Sequence, residues 1–167
     1  MNEIKSKTGL GVLNEMLTEL SASTTTVAHM KGVSNAELEA VYTVGYGYYT
    51  SGKFDEAEKI FKFLTIFSHI TPKYWLALGG VRQAKRNFAD AIQAYSMAAM
   101  FDVERPKPHY FAAECALAMG DLDSAESGVV TLLEVAKAGT PENDAYRAKA
   151  EALKKRILAI RNGEAKA

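Results

Sequence analysis

The chain has 167 residues and lacks several features that large classes of protein require. It contains one cysteine, Cys115, so no disulfide can form within it. It also has no run of the roughly 20 apolar residues that a membrane-spanning helix needs. The most apolar stretches, at 74–81 and 110–119, are short or interrupted by charge. A disulfide scaffold and a helical membrane protein are therefore excluded.

An excess of charge of one sign is also missing. Lysine plus arginine number 20 and aspartate plus glutamate number 20, which gives a formal net charge of zero. Such a balance provides no electrostatic basis for binding nucleic acid or an anionic membrane. The first residues, MNEIKSKTGLGVLNEML, lack the continuous apolar core of a secretory signal. Together with the single cysteine, this predicts a cytoplasmic protein.

Groups that carry chemistry are sparse. His29, His69 and His109 are scattered and do not have the spacing of metal ligands. No phosphate-binding loop of the G-x-x-x-x-G-K-[ST] type occurs, and Gly45-Tyr46-Gly47 does not lie between a strand and a helix, as a dinucleotide fingerprint must. We therefore predict no metal, no cofactor and no enzymatic activity, and we expect Cys115 to be a buried, unreactive thiol.

The pentapeptide TVGYG at 43–47 matches the selectivity-filter loop of potassium channels. A filter requires flanking membrane-spanning helices, which this chain lacks, so the match is a coincidence. The segment instead lies in the middle of a helical pattern.

What the sequence does contain is a repeat of 34 residues. Ala57, Ala91 and Ala125 follow one another at this interval. Three further sets share the register: Gly52, Arg86 and Gly120; Phe54, Phe88 and Leu122; and Phe61, Tyr95 and Val129. This is the period of the tetratricopeptide repeat (TPR), a helix–turn–helix unit. Small residues at its glycine and alanine positions let the two helices of a repeat approach closely.

The repeat and the helix-start signals together predict an all-α TPR solenoid. Ser34 with Glu37 forms a possible capping box, and Thr71 and Thr140 each precede a proline at a first helical position. The predicted helices are 35–50, 54–68, 72–85, 88–101, 106–119, 122–137 and 141–161. Three repeats would occupy 34–137, and the last helix, within 138–167, would cap the open end of the stack.

The N-terminal segment, 1–33, precedes the repeats. Leucines recur in it at helical spacing and predict an amphipathic helix over 9–20; they are Leu10, Leu13, Leu17 and Leu20. This apolar face either folds back on the solenoid or pairs with a second subunit, and both alternatives are open at this point.

Three tyrosines lie on one face of the first predicted repeat helix. Tyr42, Tyr46 and Tyr49 stand at positions i, i+4 and i+7. First helices line the concave surface of a TPR stack, so this face predicts an aromatic groove for an extended peptide. The 34-residue register adds further groove positions: Leu76, Gln83, Tyr110, Glu114 and Leu117.

The alternative is that the three tyrosines belong to the core. Against it, Val41, Val44 and Tyr48 already occupy the predicted core positions of the same helix. Tyrosine also suits a surface that is hydrated when the groove is empty and buried when it is occupied. Its ring packs against apolar groups, and its hydroxyl forms hydrogen bonds.

Three segments carry a more specific resemblance: SGKFDEAEKIFKFL (51–64), LGGVRQAKRNFADAIQAYSMAAMFD (78–102) and HYFAAECALAMGDLDSAESG (109–128). Over about residues 35–137 the chain resembles the class II chaperones of bacterial type III secretion systems, the TPR chaperones of the translocator proteins. The resemblance implies a bacterial cytoplasmic protein that binds two hydrophobic, pore-forming translocators before export. It implies that an extended client segment with spaced prolines and aliphatic residues lies in the groove against Tyr42, Tyr46 and Tyr49.

The resemblance further implies a homodimer formed through N-terminal helices, which would give the four leucines a role. Some members also assist a transcriptional activator, so a co-regulator is one alternative reading. Another is a generic TPR adaptor that clamps a C-terminal carboxylate, but it needs lysine and asparagine where this chain has Tyr42 and Tyr46. The chain departs from the repeat pattern at Arg82, Val103 and Ala116, where we expect altered packing between repeats.

Overall fold

The computed structural model describes residues 26–164, and every regular element in that range is an α-helix. Eight helices follow one another along this part of the chain. They are α1 Val27–Met30, α2 Asn35–Thr50, α3 Phe54–Phe67, α4 Pro72–Ala84, α5 Phe88–Phe101, α6 Pro106–Ala118, α7 Leu122–Val135 and α8 Pro141–Arg161. The all-α TPR prediction is confirmed, with helix ends within two residues of those predicted. The predicted helix at 9–20 lies outside the described residues.

Helix starts follow the predicted signals with one exception. The Ser34 hydroxyl accepts from the Glu37 amide, and the Glu37 carboxylate accepts from the Ser34 amide, which completes the capping box. Thr140 caps α8 in the same way by accepting from the Asn143 amide. Thr71 precedes α4 but makes no capping bond, because its hydroxyl pairs with that of Ser68 at 2.8 Å.

The turn inside each repeat has one residue in the left-handed region. Gly52, Arg86 and Gly120 have φ values of 77°, 62° and 79°, so the register found in the sequence corresponds to one backbone conformation. Glycine adopts this conformation without strain, whereas a residue with a Cβ does so at a cost. The middle turn is therefore the strained member of the three.

Close helix contacts within the repeats depend on glycine. A Cβ built on Gly45 would lie 2.8 Å from Ile60 Cγ2, and one built on Gly79 would lie 2.5 Å from Tyr95 Cε1. Either approach is closer than packed carbon atoms allow. Gly45 is thus the close-packing glycine of the first repeat, and Gly79 that of the second.

The stack is closed at its C-terminal end by α8. This helix packs on α7 and α6, and its inner face is buried among the side chains of the third repeat. The buried residues of α8 are Tyr146, Ala150, Leu153 and Ile157.

One residue of the predicted core differs from expectation. Val44 is 54% exposed, so its predicted core position is wrong. Its counterpart one repeat later, Leu78, is 1% exposed because α3 and α4 pack together. No preceding repeat covers Val44 within residues 26–164.

The seam between the first and second repeats is polar at both ends. Arg82 stands where a TPR usually has tyrosine; its Nε lies 3.5 Å from Glu58 Oε1, and its Nη1 donates to the Asp90 carbonyl at 3.0 Å. At the other end, Trp75 Nε1 donates to the His69 carbonyl at 2.6 Å.

Candidate binding groove

A groove of about 590 Å³ opens on the side of the stack formed by the first helices of the repeats. Its walls come from α2, α4 and the start of α6. The aromatic lining residues are Tyr42, Tyr46, Tyr49, Phe61, Tyr95 and Phe111. The others are Leu76, Ala77, Gly80, Ala84, Gln83, Lys73, Arg105 and Lys107.

The three tyrosines of α2 form a continuous row. The ring centroids of Tyr42 and Tyr46 are 6.4 Å apart and those of Tyr46 and Tyr49 are 6.3 Å apart. Tyr46 is 52% exposed, whereas Tyr42 and Tyr49 are partly buried against the core and still face the groove. The row therefore presents aromatic surface to a ligand and is anchored at both ends.

The floor of the groove is aromatic too, and the sequence reasoning missed it. Tyr95 is 2% exposed, stacks on Phe111 with centroids 5.5 Å apart, and donates its hydroxyl to Gln83 Oε1 at 2.6 Å. Burial raises the pKa of the Tyr95 phenol well above its usual value of 10. The available signal was Gly79, a small residue in the first helix of the second repeat, because its missing Cβ lets the Tyr95 ring approach that helix.

The groove is shorter than the register predicted. Leu76 and Gln83 line it, whereas Tyr110, Glu114 and Leu117 do not. Leu117 is 1% exposed and belongs to the core, so its placement on the groove is wrong.

The reason lies in the capping helix α8, which packs on α6 where a fourth repeat would otherwise begin. The Tyr110 ring lies 5.8 Å from that of Tyr146 in α8, and its hydroxyl donates to Glu114 Oε1 at 2.5 Å. Both side chains are thereby engaged with neighbours outside the cavity.

Three cations line the groove that the sequence reasoning did not select. Lys73 and Lys107 occupy the first turns of α4 and α6, and Arg105 is the N-cap of α6. The Lys73 ammonium pairs with Glu39 at 2.5 Å and lies 3.9 Å from the centre of the Tyr42 ring. The 34-residue interval between Lys73 and Lys107 was the signal that could have identified this edge.

The remaining predicted residues carry no site in the described part of the chain. Cys115 is fully buried, and burial, with a smaller effect of the Glu114 charge, raises the pKa of its thiol to about 12. Within residues 26–164, no three His, Cys, Asp or Glu side chains are placed to hold a metal ion, and no helix has the length and apolarity to cross a membrane. The four N-terminal leucines predicted for dimerisation, Leu10, Leu13, Leu17 and Leu20, lie outside this range.

Comparison with known proteins agrees with the fold and points to one family. A tetratricopeptide-repeat family model matches residues 38–69. The low calcium response locus protein H of Yersinia pestis is 36% identical over 110 residues, a region that spans 66% of this chain and 66% of that protein.

Solved structures match over more of the chain. PcrH of Pseudomonas aeruginosa, solved with the chaperone binding region of PopD, is 38% identical; the match covers 78% of this chain and 97% of PcrH with a TM-score of 0.72. The type III secretion translocator chaperone SycD of Yersinia enterocolitica is 33% identical, with 80% and 97% covered and a TM-score of 0.70. The chain therefore belongs to the type III secretion translocator chaperones, the class II chaperones built from tetratricopeptide repeats.

Proposed function

We propose that the protein is a chaperone that holds hydrophobic translocator proteins before their export by binding an extended client segment in the groove. The observation that carries this proposal is the row of three tyrosines over an aromatic floor. Two relatives bind such clients: PcrH has been solved with the chaperone binding regions of PopD and PopB, and SycD with a peptide of the translocator YopD.

The groove suits an apolar strand of client chain. Burial of apolar side chains against aromatic rings removes both surfaces from water, which is the main driving force for such association. The exposed Tyr46 ring contributes surface that is wet in the free protein, and its hydroxyl remains available to the peptide backbone. We assign client contacts to five predicted residues that line the cavity: Tyr42, Tyr46, Tyr49, Leu76 and Gln83.

The mechanism is stoichiometric masking. A client segment that is bound in the groove is withheld from aggregation and from premature membrane insertion. This masking requires no chemical reaction and no nucleotide. We place this action in the bacterial cytoplasm, as the family resemblance implies, and we propose no enzymatic role.

The test measures binding of the PopD chaperone binding region to variants of the groove. Tyr46→Ala combined with Tyr49→Ala is expected to weaken binding about ten-fold or more, because both rings lose contact with the peptide. Ile66→Ala is the matched control, since Ile66 is 63% exposed on α3 and does not line the groove. Titration calorimetry and circular dichroism would be measured for each variant.

Tyr49 also packs on Phe54, with ring centroids 5.8 Å apart, so the double variant is expected to lose some stability. The single variant Tyr46→Ala tests binding without this loss of stability, because Tyr46 is 52% exposed. Wild-type affinity in both folded variants would remove the tyrosine row from the client site.

We also propose that the free protein is a homodimer held by its N-terminal leucines. SycD has been described in an alternative dimer, and the family resemblance implies dimerisation through N-terminal helices. Replacing Leu13 and Leu17 with serine is expected to halve the mass measured by light scattering. An unchanged mass would exclude these leucines from the interface.

A further inference from the structure

The two edges of the groove differ in charge. Lys73, Arg105 and Lys107 lie together on the edge formed by the N-terminal ends of α4 and α6. The lining residues near the C-terminal ends of α2 and α4 are Tyr49, Gln83 and Ala84, which are uncharged. No aspartate or glutamate lines the cavity within the described residues.

Two of the three cations already have partners. Lys73 pairs with Glu39 at 2.5 Å, and Arg105 Nε pairs with Asp102 Oδ2 at 2.8 Å. Lys107 is partly buried and forms no ion pair with any carboxylate of residues 26–164.

The repeat register explains the difference. The residue one repeat before Lys73 is Glu39, an acid, and the two side chains meet across the first and second repeats. The residue one repeat before Lys107 is Lys73, a second cation. The pairing that neutralises Lys73 therefore has no equivalent at Lys107.

A ligand that fills the groove changes the surroundings of this ammonium. Lys107 lines the same cavity as Phe111 and Tyr95, so an occupied groove removes water from around the charge. Desolvating an unpaired cation is costly, whereas a carboxylate placed beside it recovers that cost. Binding of a wholly apolar segment across this edge is therefore weakened, and binding of a segment with a carboxylate at this edge is strengthened.

We infer that the groove selects a client segment in which a carboxylate, placed beside the apolar residues, pairs with Lys107. The inference rests on the proposed function, because it concerns the ligand of the same groove. The shared chemistry is the carboxylate, which either an Asp or Glu side chain or a free C-terminus can supply.

The experiment uses the chaperone binding region of PopD with both ends blocked as the parent probe. In one peptide set, each position in turn is replaced by Asp and by Lys. A second set ends at successive positions with a free carboxylate. Binding to the full-length wild type is measured at low and high salt, and again for Lys107→Gln and for Lys155→Gln, an exposed lysine of α8 that serves as control.

At one or two adjacent positions, we expect Asp to bind about five-fold more tightly than Lys, with the preference reduced at high salt. The preference should vanish in Lys107→Gln and persist in Lys155→Gln. If Asp and Lys bind equally but a peptide of the second set binds more tightly than the end-blocked parent, and this gain is lost in Lys107→Gln, the source of the carboxylate is the C-terminus. Equal binding of Asp and Lys at every position of the first set, together with no gain from a free carboxylate in the second set, overturns the inference and leaves the proposed function standing. A preference unchanged in Lys107→Gln does the same. If the parent probe itself does not bind, the proposed function fails and the inference fails with it.

Discussion

At the scale of single residues, Gly47 and Gly79 lie in the first helices of the first and second repeats and have opposite surroundings. A Cβ on Gly79 would meet the ring of Tyr95, which is held by Phe111 and Gln83, whereas a Cβ on Gly47 has no atom within 4 Å in the described structure. The same substitution should therefore have opposite effects at the two sites.

Gly79→Ala is expected to lower the free energy of unfolding by about 1–3 kcal/mol, since overpacking forces the buried ring to move. Gly47→Ala is expected to raise it by about 0.5–1 kcal/mol, because alanine is the better helix former. Urea denaturation measures both values. A stabilised Gly79→Ala would show that the Tyr95 ring yields without cost.

The tyrosine row shows what residue spacing can predict. Helical periodicity alone brought Tyr42, Tyr46 and Tyr49 to one face, because that depends only on local geometry. The floor residues Tyr95 and Phe111 come from other helices, so their arrival depends on how closely the helices pack. Spacing within one helix carries no information about that distance.

At the scale of helices, a cluster of charges ties α3 to α4. The Glu58 carboxylate accepts from Lys62 at 2.8 Å and from Lys85 at 2.6 Å, with Arg82 beside it at 3.5 Å. Burial alone would raise the pKa of Glu58, but the hydrogen bonds from Lys62 and Lys85 outweigh it and lower the pKa from 4.5 to about 2. Arg82, which departs from the repeat pattern, thus has an acidic partner in the preceding helix.

Because the pKa of Glu58 is lowered by folding, its stabilisation is present above pH 4.5 and is lost as the pH falls toward 2. Between pH 5 and pH 3, the wild type is expected to lose about 2 kcal/mol more stability than Glu58→Gln, in which this group cannot titrate. Urea denaturation at each pH gives the two slopes. Parallel slopes would mean that Glu58 has an ordinary pKa in the folded protein.

Helix bounds were predictable because local signals set them: the Ser34 capping box, prolines at first positions and the three intra-repeat turns. The short helix α1 was not predicted, since four residues are too few to show a periodicity. The Thr71 cap failed for a similarly local reason, as the nearby hydroxyl of Ser68 competes for its side chain.

At the scale of the whole molecule, α8 covers the end of a stack in which each repeat mainly contacts its neighbours. Ile157 is 1% exposed within the core against α7, whereas the adjacent Leu158 is 44% exposed. Ile157→Ala is expected to cost about 2–4 kcal/mol, and Leu158→Ala less than about 1 kcal/mol.

In a linear stack such damage stays local. Hydrogen exchange in Ile157→Ala should therefore accelerate in α7 and α8 and remain near wild type in α2 and α3. Equal acceleration throughout would indicate that the described helices unfold as one cooperative unit. The extent of the groove belongs to this scale as well, because the 34-residue register extended the groove to Tyr110, where the capping helix α8 packs and its Tyr146 ring contacts that of Tyr110.

The indole of Trp75, bonded to the His69 carbonyl, lies where the first repeat meets the second. It is the only tryptophan of the chain, so the tryptophan fluorescence of the protein, excited at a wavelength that tyrosine does not absorb, comes from this seam alone. Emission should shift to longer wavelength when α3 and α4 separate and the ring meets water, and should stay constant when only α7 and α8 open. The protein thus contains an optical reporter of which end of the stack loosens first, without any added label.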